Sequence, residues 1–310
     1  MTVDGHIEVR PARHEDVARC IAIRTESIRA YQGALGIDYA PGDQDAAEAL
    51  LDHMRTIDPD LVRVAARVTG RHEDPRDVVG YVAASVHGAS WFLGSLFVVP
   101  SAQGAGLGPR LLMSVRPEGR GLSHMTCTDA LQPISNAMYA RLGMSPRVPL
   151  FRVSGKVLST RATRLRLLSR PMPRTSDPTW ESTVTDIGRV DRDVLGYEHP
   201  LDHRLVRARA AHALVLADRD GTLAGYGYAD SDGALGPVVV RRAASLARAI
   251  TAIAQETGLP STFWVAGSAP VLLAWALGSG IRIVGYPALA CWDRKSVDLG
   301  RFVPGSLTLL

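Results

Sequence analysis

The chain has 310 residues, 46% of them apolar, and a formal net charge of +4, so it is long enough for two domains with ordinary cores. Three scattered cysteines argue against a disulfide framework, and the N-terminus lacks an apolar signal region, which together favour a cytoplasmic location. The longest apolar stretch, residues 270–292, is interrupted by glycine and proline, so no membrane span is predicted.

The basic segment 161–174 has no aromatic side chain. This composition favours a solvated connector that leads into a strand over a nucleic-acid interface.

Local patterns in the first half predict alternating strands and helices in the order β-α-α-β-β-β-α-β-α-β over residues 6–154. The strands are predicted over residues 7–11, 61–68, 78–86, 91–99 and 122–128, with a last one ending at 154. The helices are predicted over residues 15–28, 44–57, 109–115 and 133–142. The buried face of the first helix is predicted to hold Val17, Cys20, Ile21, Ile23 and Ile28.

The segment after the fourth strand is the most informative one. The strand ends at Pro100, and Gly104, Gly106 and Gly108 precede the next helix. Glycines let the backbone turn tightly and approach a ligand, and the N–H groups of a helix start bind anions such as a pyrophosphate. A Walker loop is excluded because neither lysine follows a matching glycine loop, and a dinucleotide fingerprint is excluded because Pro109 stands at the third glycine position.

Two motifs of the first half are similar to those of the GNAT acyltransferases. The turn Gln103-x-x-Gly106-x-Gly108 resembles the family's Q/R-x-x-G-x-G/A loop. The positions that match the family's second motif are Asn136, Tyr139, Leu142 and Gly143. The sequence departs from the family at Met144, where an aromatic residue is usual, and at Pro109, which has no N–H to offer a diphosphate.

The resemblance implies an acyl-CoA-dependent N-acyltransferase with acetyl-CoA as co-substrate and no metal. In such enzymes the thioester lies between the fourth and fifth strands, and a strand-four N–H polarises its carbonyl for attack by an amine. The residues implied to hold the pantetheine arm and the pyrophosphate are Phe97, Val98, Val99, Gln103, Gly104, Ala105, Gly106, Leu107 and Gly108. Asn136 is implied to hold the cofactor arm, and the phenol of Tyr139 to protonate the departing thiolate.

No carboxylate stands on the fourth strand, where many family members place a general base. An alkylamine has a pKa of about 10 and must lose a proton before it attacks. The candidates left open for that proton are Glu26, His87, His124, Asp129 and a water chain to solvent. Substrate contacts are expected in the segment between the first two helices, at Tyr31, Asp38 and Tyr39.

The second half is predicted to repeat the same order of elements in a weakened form. Helices are predicted over residues 180–196, 201–211, 243–257 and 269–277, and strands over 213–217, 223–229, 234–240 and 261–265. The position of the glycine turn is taken by Arg241-Arg-Ala-Ala-Ser245, and neither of the two registers of the last helix, set by Gly278 or by Gly280, restores the Asn and Tyr pair. This copy is therefore expected to be degenerate.

These patterns predict a mixed α/β fold of two tandem GNAT-like domains. Each is expected to be a twisted, mixed and mostly antiparallel sheet flanked by helices. The predicted division is a catalytic domain over residues 1–155, a linker over 156–170 and the degenerate domain over 171–310.

Two histidines of the second half, His199 and His203, stand four residues apart. That spacing suits metal ligands only on a formed helix, whereas Pro200 and Asp202 indicate a helix start that Asp202 caps or complements. A contact to the first domain or to substrate is favoured, and no metal is expected.

The leading functional hypothesis is transfer of an acetyl or other short acyl group to a primary amine of a small molecule, by direct attack in a ternary complex. Transfer to a protein or peptide amine, and a non-catalytic acyl-CoA-binding module, stay open as alternatives. No nucleic-acid or membrane partner is expected, and the chain is expected to be a monomer or a homodimer.

Overall fold

The structure, a computed structural model, describes residues 6–68, 74–117, 121–157, 167–295 and 297–308. The chain forms two compact units, Met1–Val86 with Trp91–Leu122, and His87–Ser90 with Ser123–Leu310. The sequence-based division near residue 155 stays a prediction. None of the helices in the described ranges combines the length and apolar character needed to cross a bilayer.

The first unit holds the first three helices and most of the first four strands. Their bounds are β1 Ile7–Pro11, α1 Val17–Ala34, α2 Gln44–Ile57, β2 Val62–Arg67, β3 Val78–His87, β4 Ser90–Val98 and α3 Leu107–Val115. The strands lie side by side in the order β1-β2-β3-β4, and β2 is antiparallel to both β1 and β3. Helix α2 starts where Asp43 caps it by accepting a hydrogen bond from the Ala46 N–H at 2.9 Å.

The buried face of helix α1 agrees with the prediction at four positions and differs from it at one. Val17, Cys20, Ile21 and Ile23 are buried as predicted, but Ser27 rather than Ile28 takes the next buried position. The Ser27 hydroxyl satisfies its burial by a hydrogen bond to a backbone carbonyl of β4. The helix also continues past its predicted end at residue 28 to Ala34.

The second unit holds the remaining elements. Their bounds are β5 Ser123–Asp129, α4 Pro133–Arg141, β6 Ser145–Gly155, β7 Leu168–Pro171, α5 Trp180–Val194, α6 Pro200–Arg209, β8 His212–Ala217, β9 Leu223–Ala229, β10 Leu235–Val240, α7 Leu246–Thr257, β11 Ser261–Ala266, α8 Pro270–Gly278, β12 Arg282–Ile283, β13 Ala288–Trp292 and β14 Phe302–Val303. The basic segment 161–174 lies partly outside the described residues, and its described end forms β7.

Two groups of strands make up the sheets of this unit. In one, β13 lies between β5 and β6 and is antiparallel to both, and β11 and β12 pair antiparallel with β6. The other is a five-stranded sheet in the order β14-β10-β9-β8-β7. The predicted mixed α/β class, with mostly antiparallel strands flanked by helices, is confirmed. Strands β12, β13 and β14 are absent from the sequence-based prediction.

Glycines in β9 allow the five-stranded sheet and α7 to pack closely. A Cβ added at Gly225 would overlap the carbonyl oxygen of Val239 in the neighbouring strand β10, and one added at Gly227 would overlap the Ile253 side chain of α7. The core beside them holds Trp180, Tyr226 and Tyr228, each at most 1% exposed. Strand β9 therefore lies at the centre of this part of the second unit.

Candidate functional site

The turn between β4 and α3 in the first unit has the backbone that its sequence predicts. Gly104 and Gly106 adopt left-handed conformations, with φ of 83° and 77°. A Cβ added at Gly104, Gly106 or Gly108 would meet no heavy atom within 4 Å, so the turn is bordered by open space. Helix α3 begins at Leu107. The backbone N–H groups of its first two residues have no carbonyl partner within the helix. The third residue, Pro109, has no backbone N–H. The turn can therefore accept an anion.

Hydrogen bonds fix this turn to the end of β4. The Gln103 side-chain amide donates to the carbonyl of Val98 at 2.8 Å, and the hydroxyl of Ser27 donates to the same oxygen at 2.9 Å. The N–H of Val99 donates to Val79 in β3 at 2.8 Å. The Gln103 side chain thus positions the turn, and Ser27 is a positioning residue that sequence analysis missed. The only signal for it was a hydroxyl on an otherwise apolar helix face.

The predicted acceptor residues of the first unit lie on or after α1. Glu26 is exposed, and its carboxylate lies 3.8 Å from the guanidinium of Arg19. Tyr31 is half-buried on the same helix. Asp38 is exposed in the segment before α2, where the ring of the adjacent Tyr39 faces a guanidinium of α1 at 5.4 Å.

In the second unit, the end of β5 and the start of α4 hold two of the predicted residues together. The Asn136 amide donates to the carbonyls of Asp129 at 3.2 Å and Ala130 at 3.4 Å. The Asp129 carboxylate accepts from the Leu131 N–H at 2.8 Å, which closes the turn between the two elements. Asn136 Oδ1 is buried and has no hydrogen-bond partner within the described ranges. A ligand N–H, such as an amide of a pantetheine arm, would satisfy that acceptor.

Tyr139 lies on α4 and is 5% exposed. Burial raises the pKa of its phenol, and Cys291 of β13 acts in the same direction, against a hydrogen bond from Ser135. The phenol is therefore protonated at neutral pH, which a general acid requires.

The structure gives both candidate imidazoles a carboxylate partner. His87 lies with the second unit, its Nε2 3.0 Å from Asp202 and its ring stacked on Tyr197 at 5.0 Å. His124 is buried in β5, and its Nδ1 lies 2.8 Å from Asp293. His87 thus belongs to a cluster around α6 rather than to the turn that joins Asp129 and Asn136.

The corresponding turn of the second half is built differently. Residues 241–245 contain no glycine, and they lead through the short 3-10 turn Ala243–Ser245 directly into α7. Every residue with positive φ in the described structure is a glycine, so this turn has no left-handed residue. It therefore lacks the backbone that opens the turn at residues 104–106.

Comparisons with known proteins agree with this architecture. The model of the acetyltransferase (GNAT) family matches residues 26–144. The chain is similar in structure to a putative acetyltransferase from Pyrococcus horikoshii, at 15% identity and a TM-score of 0.67, over 97% of this chain and 94% of that one. A GCN5-related N-acetyltransferase from Sphaerobacter thermophilus is similar at 16% identity and a TM-score of 0.56, over 95% and 98% of the two chains.

A tandem GNAT protein from the clavulanic acid biosynthesis pathway is also similar, at 14% identity and a TM-score of 0.53, over 93% of this chain and 98% of that one. No curated protein matches the chain in sequence. At these identities the structural likeness shows the fold alone.

Proposed function

We propose that the chain moves an acetyl or short acyl group from acetyl-CoA to a primary amine of a small molecule, a proposal supported by the match of residues 26–144 to the model of the acetyltransferase (GNAT) family. The acceptor amine attacks the thioester directly in a ternary complex. Acyl transfer from an acyl-CoA is what this fold supports in general, and the small-molecule acceptor is our more specific proposal.

The turn between β4 and α3 carries the proposal. Its two left-handed glycines, the open space beside them and the free N–H groups at the start of α3 suit a pyrophosphate. We assign the pyrophosphate to the backbone of residues 104–108 and the pantetheine arm to the backbone of Phe97, Val98 and Val99. Because the Val98 carbonyl already accepts two hydrogen bonds from side chains, Gln103 contributes by holding the turn in place.

Two residues of α4 are assigned to the reaction itself. Asn136 holds the cofactor arm through its unpaired Oδ1, and the Tyr139 phenol delivers its proton to the departing thiolate. The nitrogen–carbonyl bond forms as the carbon–sulfur bond breaks, the proton from Tyr139 goes to sulfur, and the amine's proton goes to a base or to water. No metal takes part in these steps.

The acceptor side is proposed to involve Glu26, Tyr31, Asp38, His87 and Asp129. We further propose that the enzyme is cytoplasmic and acts as a monomer or homodimer without a nucleic-acid or membrane partner. The structure supports the cytoplasmic assignment with cysteines that are all unpaired: Cys20, Cys127 and Cys291.

The test is thiol release from acetyl-CoA across a panel of polyamines, amino acids, aminoglycosides and peptides, with products identified by mass spectrometry. We expect steady thiol release with at least one small amine and a product acetylated on nitrogen. Acetylation of peptides alone would replace the proposal with a peptide acetyltransferase. Acetyl-CoA binding without turnover on any amine would replace it with a non-catalytic binding module.

A further inference from the structure

A buried cluster of imidazoles, carboxylates and phenols lies in the second unit and shares no residue with the turn and helix assigned to acetyl transfer. It is formed where α5, α6 and β9 meet, and the rings of His199 and His203 stack there at a centroid distance of 4.5 Å. Its members are His87, Asp191, Tyr197, His199, Asp202, His203, Tyr226 and Tyr228.

Three residues of this cluster, Asp191, His199 and His203, each offer one donor atom, and these atoms lie within 4.8 Å of one another. Asp191 Oδ2 lies 3.4 Å from His199 Nε2 and 2.7 Å from His203 Nε2. Asp191 and His203 are essentially unexposed, and the His199 side chain is 10% exposed. His199 Nε2 makes no hydrogen bond to any described residue, although it lies 3.4 Å from Asp191 Oδ2. A buried donor atom therefore points at the carboxylate without being satisfied by it.

The other polar atom of each of these residues has its own partner. Tyr226 donates its hydroxyl proton to Asp191 Oδ1 at 2.5 Å, and His203 Nδ1 is hydrogen-bonded to the Tyr228 hydroxyl at 2.9 Å. His199 Nδ1 lies 3.4 Å from the carboxylate of Asp202. Metal-binding histidines and carboxylates have this arrangement, in which outer partners fix the orientation of each ligand.

We propose that Asp191, His199 and His203 form a binding site for one divalent transition-metal ion of the Zn²⁺ class, with water in the remaining coordination position. Imidazole nitrogens with one carboxylate oxygen suit this class, whereas Mg²⁺ and Ca²⁺ take oxygen ligands.

The two distances from Asp191 Oδ2 are close to those that such an ion requires. Bonds of about 2.0–2.1 Å in a tetrahedron place the donor atoms about 3.3 Å apart. The pair of Asp191 Oδ2 and His199 Nε2 already lies at 3.4 Å, and the pair of Asp191 Oδ2 and His203 Nε2 is at hydrogen-bond distance, 2.7 Å. The distance of the second pair must increase by about 0.6 Å. His203 must also carry its proton on Nδ1, facing the oxygen of Tyr228, so that its Nε2 can bind the ion.

Charge favours a cation at this place. Asp191 is 0% exposed, and both of its ion pairs in the described part of the chain are with histidines. A buried carboxylate needs a positive partner, which an imidazole supplies only when protonated. A divalent ion supplies that charge independently of imidazole protonation. It also ties α5 to the start of α6, so it is expected to stabilise the second unit.

The sequence argued against a metal because Pro200 marks a helix start. The structure places His199 at the N-cap and His203 in the first turn of α6, and Asp202 lies in the same first turn, where a carboxylate complements the helix N-terminus as predicted. It also adds Asp191 from α5, which no local spacing connects with the histidines.

The test uses the full chain, stripped with a chelator and then titrated with Zn²⁺, and with Co²⁺ as a spectroscopic probe. We expect one equivalent of Zn²⁺ to bind and raise Tm, and Co²⁺ to give the intense visible bands of a tetrahedral site. Asp191→Asn and His203→Ala are expected to weaken Zn²⁺ binding at least about ten-fold. The matched control is His14→Ala, which removes an exposed histidine that pairs with Asp52 on the surface, and it should change neither affinity nor spectrum.

Tyr226→Phe keeps all three ligands and is the variant to test if the ligand variants do not fold. It removes the hydrogen bond from Tyr226 to Asp191, and this loss should weaken Zn²⁺ binding. The proposal is overturned if the wild-type chain binds no Zn²⁺ in stoichiometric amount. It is equally overturned if Co²⁺ shows no tetrahedral spectrum, or if binding is the same in the wild type and in these variants. The cluster would then be a hydrogen-bond network that orders α5, α6 and β9.

Discussion

At the scale of single residues, the groups assigned to acetyl transfer differ in whether the fold already satisfies their hydrogen bonds. The Val98 carbonyl accepts from Ser27 and Gln103 and is committed to the fold. Asn136 Oδ1, in contrast, is buried without a partner in the described structure, and the Tyr139 phenol is kept protonated by its burial. The unsatisfied acceptor supports the binding role proposed for Asn136, and the protonated phenol supports the proton-donor role proposed for Tyr139.

Asn136→Ala should raise KM for acetyl-CoA about five-fold and leave kcat within about two-fold, because a single buried hydrogen bond contributes about 1 kcal/mol. Steady-state kinetics with varied acetyl-CoA measure this, and Tm reports the loss of the bonds to Asp129 and Ala130. A fall in kcat at unchanged KM would contradict the binding role.

The pH dependence of kcat tests the state of Tyr139. Burial raises its pKa above the usual value of about 10, and the acid form is the one present below the pKa. Loss of this proton donor should therefore reduce kcat only as pH rises above about 10. We measure kcat from pH 6 to 10 in the wild type and in Tyr139→Phe. Over this range, the two enzymes should show the same dependence of kcat on pH. A decline with an apparent pKa near 8 that the variant lacks would contradict the assignment.

At the scale of elements, the glycine turn before α3 and its counterpart before α7 differ in backbone and not only in sequence. The first has left-handed residues at Gly104 and Gly106, and the second, residues 241–245, has none. A side chain at a left-handed position costs about 1–2 kcal/mol for a residue with a Cβ. A Cβ in the first turn would meet no neighbouring atom, so lack of space does not explain its glycines. The backbone conformation is what requires glycine there.

Gly106→Ala should raise the Kd for CoA about ten-fold or more, because alanine strains the turn at φ 77° or moves its N–H groups. Calorimetry with CoA measures the change. The matched control is Gly33→Ala in α1, where φ is ordinary and the added Cβ meets nothing within 4 Å. An unchanged Kd in Gly106→Ala would show that this turn does not hold the ligand.

Local sequence patterns were sufficient to predict the helices and strands that carry the candidate site. They were not sufficient to predict the strands that pair with partners far away in the sequence. The bounds of α2 and β9 agree with prediction at both ends, because caps, periodicity and turn residues are local signals. Strand β13 pairs with β5 and β6, far upstream in the chain, and its own sequence lies in a stretch broken by glycine and proline. Such pairing is decided by tertiary packing, which single-strand patterns do not report.

The same limit applies to the candidate sites. The resemblance located Gln103, Asn136 and Tyr139, because they stand in short motifs with fixed spacing. Ser27 and Asp191 have no motif around them, and only the fold brings their side chains to Val98 and to His203.

At the scale of the whole molecule, the two halves of the chain are proposed to have different tasks. The first half supplies the glycine turn and the α4 pair. The second half lacks both and has instead a cluster of buried histidines and Asp191.

One acetyl-CoA should bind per chain. The physical reason is that residues 241–245 offer no open turn for a second pyrophosphate. Calorimetric titration of the wild type should give a stoichiometry of about one, and Gly106→Ala should weaken that single isotherm. A stoichiometry of two would mean that the second half also binds the co-substrate.

The measurement that tests the central claim most directly is the turnover of Tyr139→Phe with the best amine of the panel, under saturating acetyl-CoA. Removal of a general acid costs about 10²-fold in rate, so kcat should fall by that factor while KM for acetyl-CoA changes little. Tyr286→Phe, at a tyrosine that is 56% exposed, is the matched control and should retain full activity. A Tyr139→Phe enzyme with the kcat of the wild type would contradict the proposed role of Tyr139 in acetyl transfer.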